Sequence, residues 1–79
     1  MPRFFFHLRD DLDVEDNEGA DLPDLQTARG RAVKDARQLM CALMEREGRI
    51  ALHHSIDIED GDGQVLDTLI FKDVVKIEG

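Results

Sequence analysis

The sequence predicts an α+β fold, in which a small antiparallel β-sheet of three to four strands carries one long α-helix packed on one face. Two observations lead to this prediction. Apolar residues alternate with a period of two near both ends of the chain, as they do in half-buried strands. Between these segments, apolar residues recur with the period of a helix. The expected order is β-(β)-α-β-β, in a single domain that spans residues 1–79.

The first strand is predicted at Phe4–Leu8. Its consecutive phenylalanines place apolar side chains on both faces, and His7 shares the face of Phe5. This pattern is typical of a central strand that is covered at least in part on both sides. A short edge strand around Val14 is an optional addition.

The helix is predicted from Leu25 to about Glu47. Asp24 suits the N-cap, because its carboxylate accepts hydrogen bonds from the unpaired amides of the first turn. Gly48 suits the left-handed position that ends many helices. One face of the helix is apolar, with small residues first and larger ones later: Leu25, Ala28, Ala32, Ala36, Leu39, Met40 and Leu43. We therefore expect its N-terminal half to lie closer to the sheet.

A hairpin is predicted near the C-terminus, with strands at Ile50–Glu59 and Gln64–Phe71. The turn signal between them is Asp-Gly-Asp-Gly at residues 60–63. His54 falls within the alternation of the first of these strands. We expect it to be a hydrogen-bonded residue at the boundary of the core. The remaining tail, residues 72–79, is expected to form a short strand, a helical turn or a frayed end.

The charge of the chain limits its partners. The formal net charge is -8 at pH 7, which disfavours binding to nucleic acid and to anionic membranes. A basic protein partner or a divalent cation remains compatible with it. The apolar runs are too short for a signal peptide or a membrane helix, and the single cysteine allows no internal disulfide. We therefore expect a cytoplasmic protein.

The candidate partner-binding surface is an acidic segment between the first strand and the helix. Its carboxylates belong to Asp10, Asp11, Asp13, Glu15, Asp16, Glu18 and Asp21. A calcium-binding EF-hand loop needs glycine at its sixth position and glutamate at its twelfth, and the segment has neither when counted from Asp11 or Asp13. A solvated loop is the simplest interpretation. A basic cluster on the helix is expected to pair with this segment, within one chain or across a dimer, with phosphate binding as the alternative: Arg29, Arg31, Lys34 and Arg37.

No arrangement typical of catalysis is found, and no catalytic residue, metal ligand or cofactor is predicted. His53 and His54 are neighbours in a predicted strand, so their side chains are expected to point to opposite faces. Ser55 is near His53 and Asp57 along the chain, but residues spread along one strand do not form a catalytic triad. Cys41 is expected to be exposed, without a base beside it.

Three stretches resemble a known family. They are MPRFFFHL at residues 1–8, DNEGADLPDLQTARGRA at 16–32 and IEDGDGQVLDTLIF at 58–71. In this order they are similar to short bacterial proteins, common in alphaproteobacteria, that are classed as a domain of unknown function. Similar proteins often have glycine after the first aspartate, where this chain has Asp10-Asp11. The resemblance covers nearly the whole chain and implies no activity.

Together these features favour a non-enzymatic acidic module with an interaction or regulatory role. It would bind a basic protein partner, or itself as a homodimer, through the acidic segment or the uncovered face of the sheet. The alternative is a weak divalent-metal-binding protein that uses the acidic segment or the histidines.

Overall fold

The computed structural model describes residues 1–79 and confirms the α+β fold. The helix α1 spans Leu25–Glu47, and no helix combines the length and apolar character needed to cross a membrane. The strands are β1 (Arg3–Arg9), β2 (Asp13–Val14), β3 (Ala20–Asp21), β4 (Ser55–Glu59) and β5 (Val65–Ile70). A 3-10 turn at Phe71–Asp73 follows β5.

The sheet is antiparallel, with β1 at its centre as predicted. The main strand order is β2-β1-β4-β5. Both β2 and β3 pair with the same edge of β1, β2 near its C-terminal end and β3 near its N-terminal end. The sheet therefore has five strands instead of three to four, because the acidic segment returns to β1 twice. In the central pair, Arg9 lies opposite Ser55 and His7 lies opposite Asp57.

Both ends of α1 are fixed by the residues that predicted them. The Asp24 carboxylate accepts a hydrogen bond from the Thr27 N–H at 2.7 Å. Gly48 has a φ of 68°, and its N–H donates to the Met44 carbonyl. A residue with a Cβ would be strained at that φ. The local signals in the sequence therefore determine where this helix begins and ends.

The core lies between α1 and one face of the sheet. The helix contributes small side chains and one large one: Ala28, Ala32, Ala36 and Met40. The sheet and the turn after it contribute Phe4, Ile56, Ile58, Leu69, Phe71 and Val74. The alanines let the helix backbone approach the sheet closely, so that Ile58 is fully buried. This agrees with the expected placement of the small residues.

The predicted strand at residues 50–54 is wrong. Ile50 is 40% exposed and Ala51 is only 4% exposed, which reverses the burial that the alternation indicated. These residues form the loop that brings the chain from the end of α1 to β4. Its backbone pairs with the chain after β5, since the carbonyls of Leu52 and His54 accept from the N–H groups of Lys72 and Phe71.

The return strand also differs from its prediction at both ends. It begins at Val65, where a register shift between Ile58 and Glu59 leaves Val65 exposed on the sheet edge. It ends at Ile70, because Phe71 turns into the core as the first residue of the 3-10 turn. Of the alternatives for the tail, a helical turn is the one observed, at residues 71–73.

Candidate functional site

Asp16, one of the predicted partner-binding residues, holds the backbone of the acidic segment in place. Its Oδ2 accepts from the Phe6 N–H, and its Oδ1 accepts from the N–H groups of Glu18 and Gly19, each at 3.1 Å. Desolvation raises the pKa of Asp16, but these three donors and His7 outweigh it and hold the pKa below its ordinary value. The carboxylate is therefore a structural acceptor that stays ionised.

Gly19 completes this turn. Its φ is 71°, and a Cβ at this position would lie 2.8 Å from the Phe4 carbonyl oxygen. Only glycine fits both the backbone conformation and the approach to β1. The Asp-x-Glu-Gly pattern at residues 16–19 thus encodes a turn that fastens the acidic segment to the sheet.

Asp21 is also occupied. Arg3 donates to both of its carboxylate oxygens, at 2.9 and 3.1 Å, and to the Glu18 carbonyl at 3.0 Å. The hydrogen bonds from Arg3 lower the pKa of Asp21. Both side chains are about half exposed, so the ion pair fixes the position of β3 and adds little stability.

His7 lies buried on the sheet face away from α1. Its Nδ1 accepts from the Asp16 N–H at 3.0 Å and lies 2.9 Å from a carboxylate oxygen of Glu15. Nε2 lies 3.3 Å from a carboxylate oxygen of Glu59, and the ring stacks near Phe5. His7 therefore joins the acidic segment to the sheet.

Arg9 joins three elements on the same face. It donates to Asp57 at 3.0 Å and to Glu15 at 2.6 Å. The hydrogen bond from Arg9 lowers the pKa of Glu15. Asp57 in turn accepts from the Thr68 hydroxyl at 2.8 Å. Glu15 is thus a third predicted partner-binding residue whose carboxylate is already paired within the chain.

The other four predicted partner-binding residues face solvent to different degrees. Asp11, Asp13 and Glu18 are exposed, and Asp10 is half-buried, with its carboxylate accepting from the Leu12 N–H at 2.7 Å. Their role in binding a partner stays a prediction.

The predicted pairing of the helix arginines with the acidic segment is wrong within one chain, and pairing across a dimer stays a prediction. The helix lies on the opposite side of the sheet from the Arg9 network, so these side chains meet other groups. They contact Asp67 (Arg29), Asp35 (Arg31) and the Val74 carbonyl (Arg37).

The two adjacent histidines converge instead of diverging. His53 and His54 lie in the loop before β4, where the alternation of a strand does not apply, and their rings meet edge-on with centroids 4.6 Å apart. Asp11 joins them, with its Oδ1 at 3.9 Å from the Nε2 of each histidine. Each of these three side chains offers one ligand atom, and the three atoms lie within 4.8 Å of one another.

His54 is the fixed member of this group. Its side chain is 10% exposed and packs edge-on against Phe71, with centroids 5.8 Å apart. Its Nε2 is buried and has no hydrogen-bond partner, so the hydrogen bond expected for this residue is not made at that atom. An unpaired polar atom of this kind costs about 1–3 kcal/mol. It lies beside a cleft of about 140 Å³ between α1, the acidic segment and the loop before β4.

The register of the sheet explains why these residues meet. Arg9 at the end of β1 lies opposite Ser55 at the start of β4. Residues just after β1 therefore lie beside those just before β4. The sequence shows that Asp11 follows β1 and that the histidines precede β4. Their proximity can be predicted from these positions only after the ends of both strands and their register are known.

The outer edge of β5 is unpaired. The Phe71 N–H donates to the His54 carbonyl, and hydrogen-bonded pairs alternate along an antiparallel ladder. With the observed register, the backbone groups of Thr68 and Ile70 point away from β4. The Thr68 N–H is held only by the neighbouring Asp67 side chain, at 2.9 Å. The strand contains neither proline nor lysine, the residues that usually protect such an edge.

These features define a small acidic α+β domain, with one helix on a five-stranded antiparallel sheet. The chain belongs to the family described as domain of unknown function (DUF6894), whose model matches residues 3–72. This confirms the resemblance seen in the sequence. No curated protein matches the chain, and no solved structure matches it.

Proposed function

We propose that the protein is a non-enzymatic interaction module whose sheet edge at β5 binds an extended segment of a basic protein. The observation that carries this proposal is the edge of β5, which no other strand covers. The outward N–H of Ile70 and the outward carbonyls of Thr68 and Ile70 offer hydrogen bonds that an added strand uses, and the Thr68 N–H adds one when it leaves Asp67. Val65 and Leu66, at the start of the strand, expose apolar side chains beside them.

The charge of the hairpin indicates the chemistry of the partner. Residues 55–70, which form β4, the turn and β5, contain no lysine or arginine. They contain five carboxylates: Asp57, Glu59, Asp60, Asp62 and Asp67. Asp57 and Glu59 lie near Arg9 and Asp67 is paired with Arg29, so the unpaired charge belongs to Asp60 and Asp62 in the turn. Two such hairpins would repel each other, because each copy adds the same charge at the contact. A lysine- or arginine-rich segment would be attracted, so we favour a basic partner over a homodimer.

Two further features support a role without catalysis. Cys41, the only thiol, is exposed on α1, and no base makes a hydrogen bond with it. His7 is buried and held between the Asp16 amide and Glu59, so its ring is occupied by structural contacts.

The substitution Ile70→Pro tests the edge. Ile70 has a φ of -87° and a ψ of 133°, which lies close to the backbone conformation of proline. Its N–H points outward, so proline removes a donor from the edge without removing a hydrogen bond to β4. Ile70→Val is the matched control, since it keeps this donor.

The wild type and both variants are used to capture proteins from a lysate of the native cell. Each captured protein is then purified, and amide hydrogen exchange is measured on its complex. We expect a basic protein that high salt releases, that Ile70→Val retains and that Ile70→Pro loses. In the complex, the amides of Thr68 and Ile70 should become protected from exchange. If Ile70→Pro does not fold, Thr68→Lys serves instead, because an edge lysine both blocks pairing and repels a basic segment.

Three results would overturn the proposal: equal capture by the edge variant and its control, protection confined to the acidic segment, or capture of a second copy of the chain alone. The second result would restore the predicted surface at the acidic segment, and the third would establish a homodimer.

A further inference from the structure

We propose that Asp11, His53 and His54 form a binding site for a transition-metal ion of the Zn²⁺ type. This goes beyond the proposed interaction function, because the site lies in the loops where β1 ends and β4 begins. Each proposal stands if the other fails.

The donor set is the first argument. Two imidazole nitrogens and one carboxylate oxygen are common ligands of Zn²⁺ in proteins. Hard cations such as Ca²⁺ instead prefer six or more oxygen ligands, which a site with two imidazoles does not offer. The site therefore favours Zn²⁺ and related transition metals over Ca²⁺. Three protein ligands leave one tetrahedral position for water or for a group on a partner.

The geometry needs only a small adjustment. Ligand atoms around a tetrahedral Zn²⁺ lie about 3.3 Å apart, given metal–ligand distances of about 2.0–2.1 Å. The Asp11 Oδ1 lies 3.9 Å from each histidine Nε2. The side chains of Asp11 and His53 are 73% and 75% exposed, so both can rotate. His54 is held by its packing against Phe71 and gives the site a fixed point.

The unpaired Nε2 of His54 is the second, independent argument. The atom is buried, has no hydrogen-bond partner and faces both Asp11 and His53. Buried polar atoms in native proteins nearly always have a partner. A metal ion between the three side chains would satisfy this nitrogen. The carboxylate of Asp11 would meanwhile offset part of the charge of the ion.

The charges around the cleft do not oppose a cation. Arg46 and Arg49 line the same cleft, but both are paired with Glu47, at 3.3 and 3.1 Å. Asp10 adds a second carboxylate to the wall of the cleft. The cleft is thus lined by three carboxylates, of Asp10, Asp11 and Glu47, and by two guanidinium groups, so its charges slightly favour a cation.

The test is a calorimetric titration of the chelator-treated full chain with Zn²⁺. We expect saturable binding of one ion per chain. His53→Ala and Asp11→Asn should each weaken it by at least about tenfold, because each removes one of three ligands. Asp13→Asn is the matched control. It removes the same charge from the same exposed segment but from outside the site, and it should leave the affinity unchanged. Because His53 is exposed, its replacement should not unfold the chain, and His53→Gln provides a second variant.

Imidazole nitrogen NMR spectra identify the ligands directly. On addition of Zn²⁺, the signals of His53 and His54 should shift while those of His7 stay in place. A parallel titration with Ca²⁺ should show no binding that depends on His53. The proposal is overturned if Zn²⁺ does not saturate one site, if His53→Ala binds it as tightly as the wild type, or if only His7 responds. Binding that survives His53→Ala would be adventitious binding to the acidic segment.

Discussion

The substitution Asp16→Asn should remove a large fraction of the free energy of unfolding of this small protein. The Asp16 carboxylate accepts three backbone N–H groups through two oxygens. An asparagine side chain has one oxygen and an NH₂ group in the same space. If that oxygen stays on Glu18 and Gly19, the NH₂ group faces the Phe6 N–H, donor against donor.

The magnitude follows from these contacts. A strand N–H left without its acceptor in a partly buried place costs about 1–3 kcal/mol, and the two remaining hydrogen bonds lose about 1 kcal/mol each when the acceptor loses its charge. The sum is about 3–5 kcal/mol. Since 1 kcal/mol shifts the melting temperature of a domain of this size by about 4–8 °C, the lower bound alone corresponds to a decrease of roughly 12–24 °C.

The measurement is urea denaturation followed by circular dichroism, with thermal melting as a second readout. Asp13→Asn is the control, because it makes the same chemical change at an exposed position of the same segment. It should change the free energy of unfolding by less than about 0.5 kcal/mol. If the two variants differ by less than about 1 kcal/mol, Asp16 does not hold the turn in the way its hydrogen bonds indicate.

The remaining predictions concern acid, glycine and the core. Because the folded pKa of Asp16 lies below its ordinary value of 3.8, its stabilisation is complete above that pH and is lost as the pH falls through the folded value. Urea titrations below pH 3.8 should therefore show a shallower pH dependence for Asp16→Asn than for the wild type. Gly19→Ala should destabilise the protein by about 1–3 kcal/mol, given its positive φ and its approach to β1. Gly30→Ala, in open space on α1, should instead stabilise it by about 0.5–1 kcal/mol in the same assay. Ile58→Ala, which truncates the largest fully buried side chain, should lower the free energy of unfolding by about 2–5 kcal/mol, and a smaller loss would mean that α1 collapses onto the cavity.

Local signals predicted most of the fold. Asp24 and Gly48 act within one turn of the residues they cap, so the ends of α1 could be predicted from neighbours in the sequence. The Asp-Gly-Asp-Gly turn acts in the same way, since its first aspartate accepts hydrogen bonds from the N–H groups of Asp62 and Gln64. Each of these signals depends on contacts between residues that are close in the chain.

The loop at residues 50–54 could not be predicted in this way. Its apolar residues alternate as they would in a strand, but their burial depends on which part of the protein each side chain reaches. Ala51 lies against the cleft at the C-terminal end of α1, whereas Ile50 points outward. An alternating pattern predicts burial only where the backbone is part of a regular strand. Here the backbone is a loop that pairs with Lys72 and Phe71, beyond the end of β5.

The acidic segment shows how far composition describes a site. A cluster of carboxylates predicts a solvated acidic surface. Three of these carboxylates are nevertheless bound within the chain, by arginine side chains or by backbone amides. Asp21 is paired with Arg3, Glu15 is paired with Arg9, and Asp16 holds backbone amides. The turn made by Asp16 has a local signal, because an aspartate often accepts from the amides two and three residues later. Its bond to Phe6 has none, since it depends on the return of the chain to β1.

The same reasoning explains why the Asp11, His53 and His54 site emerged only with the structure. The pairing of Arg9 with Ser55 brings the three residues together. That register also places the apolar side chains of β1 and β4 on one face against α1. Shifting either strand by one residue would expose those side chains and separate Asp11 from the histidines. Packing of the core therefore places the backbone of these three residues side by side, so that a metal ion would find most of the proposed site already assembled. The cost of ordering would fall mainly on the exposed side chains of Asp11 and His53.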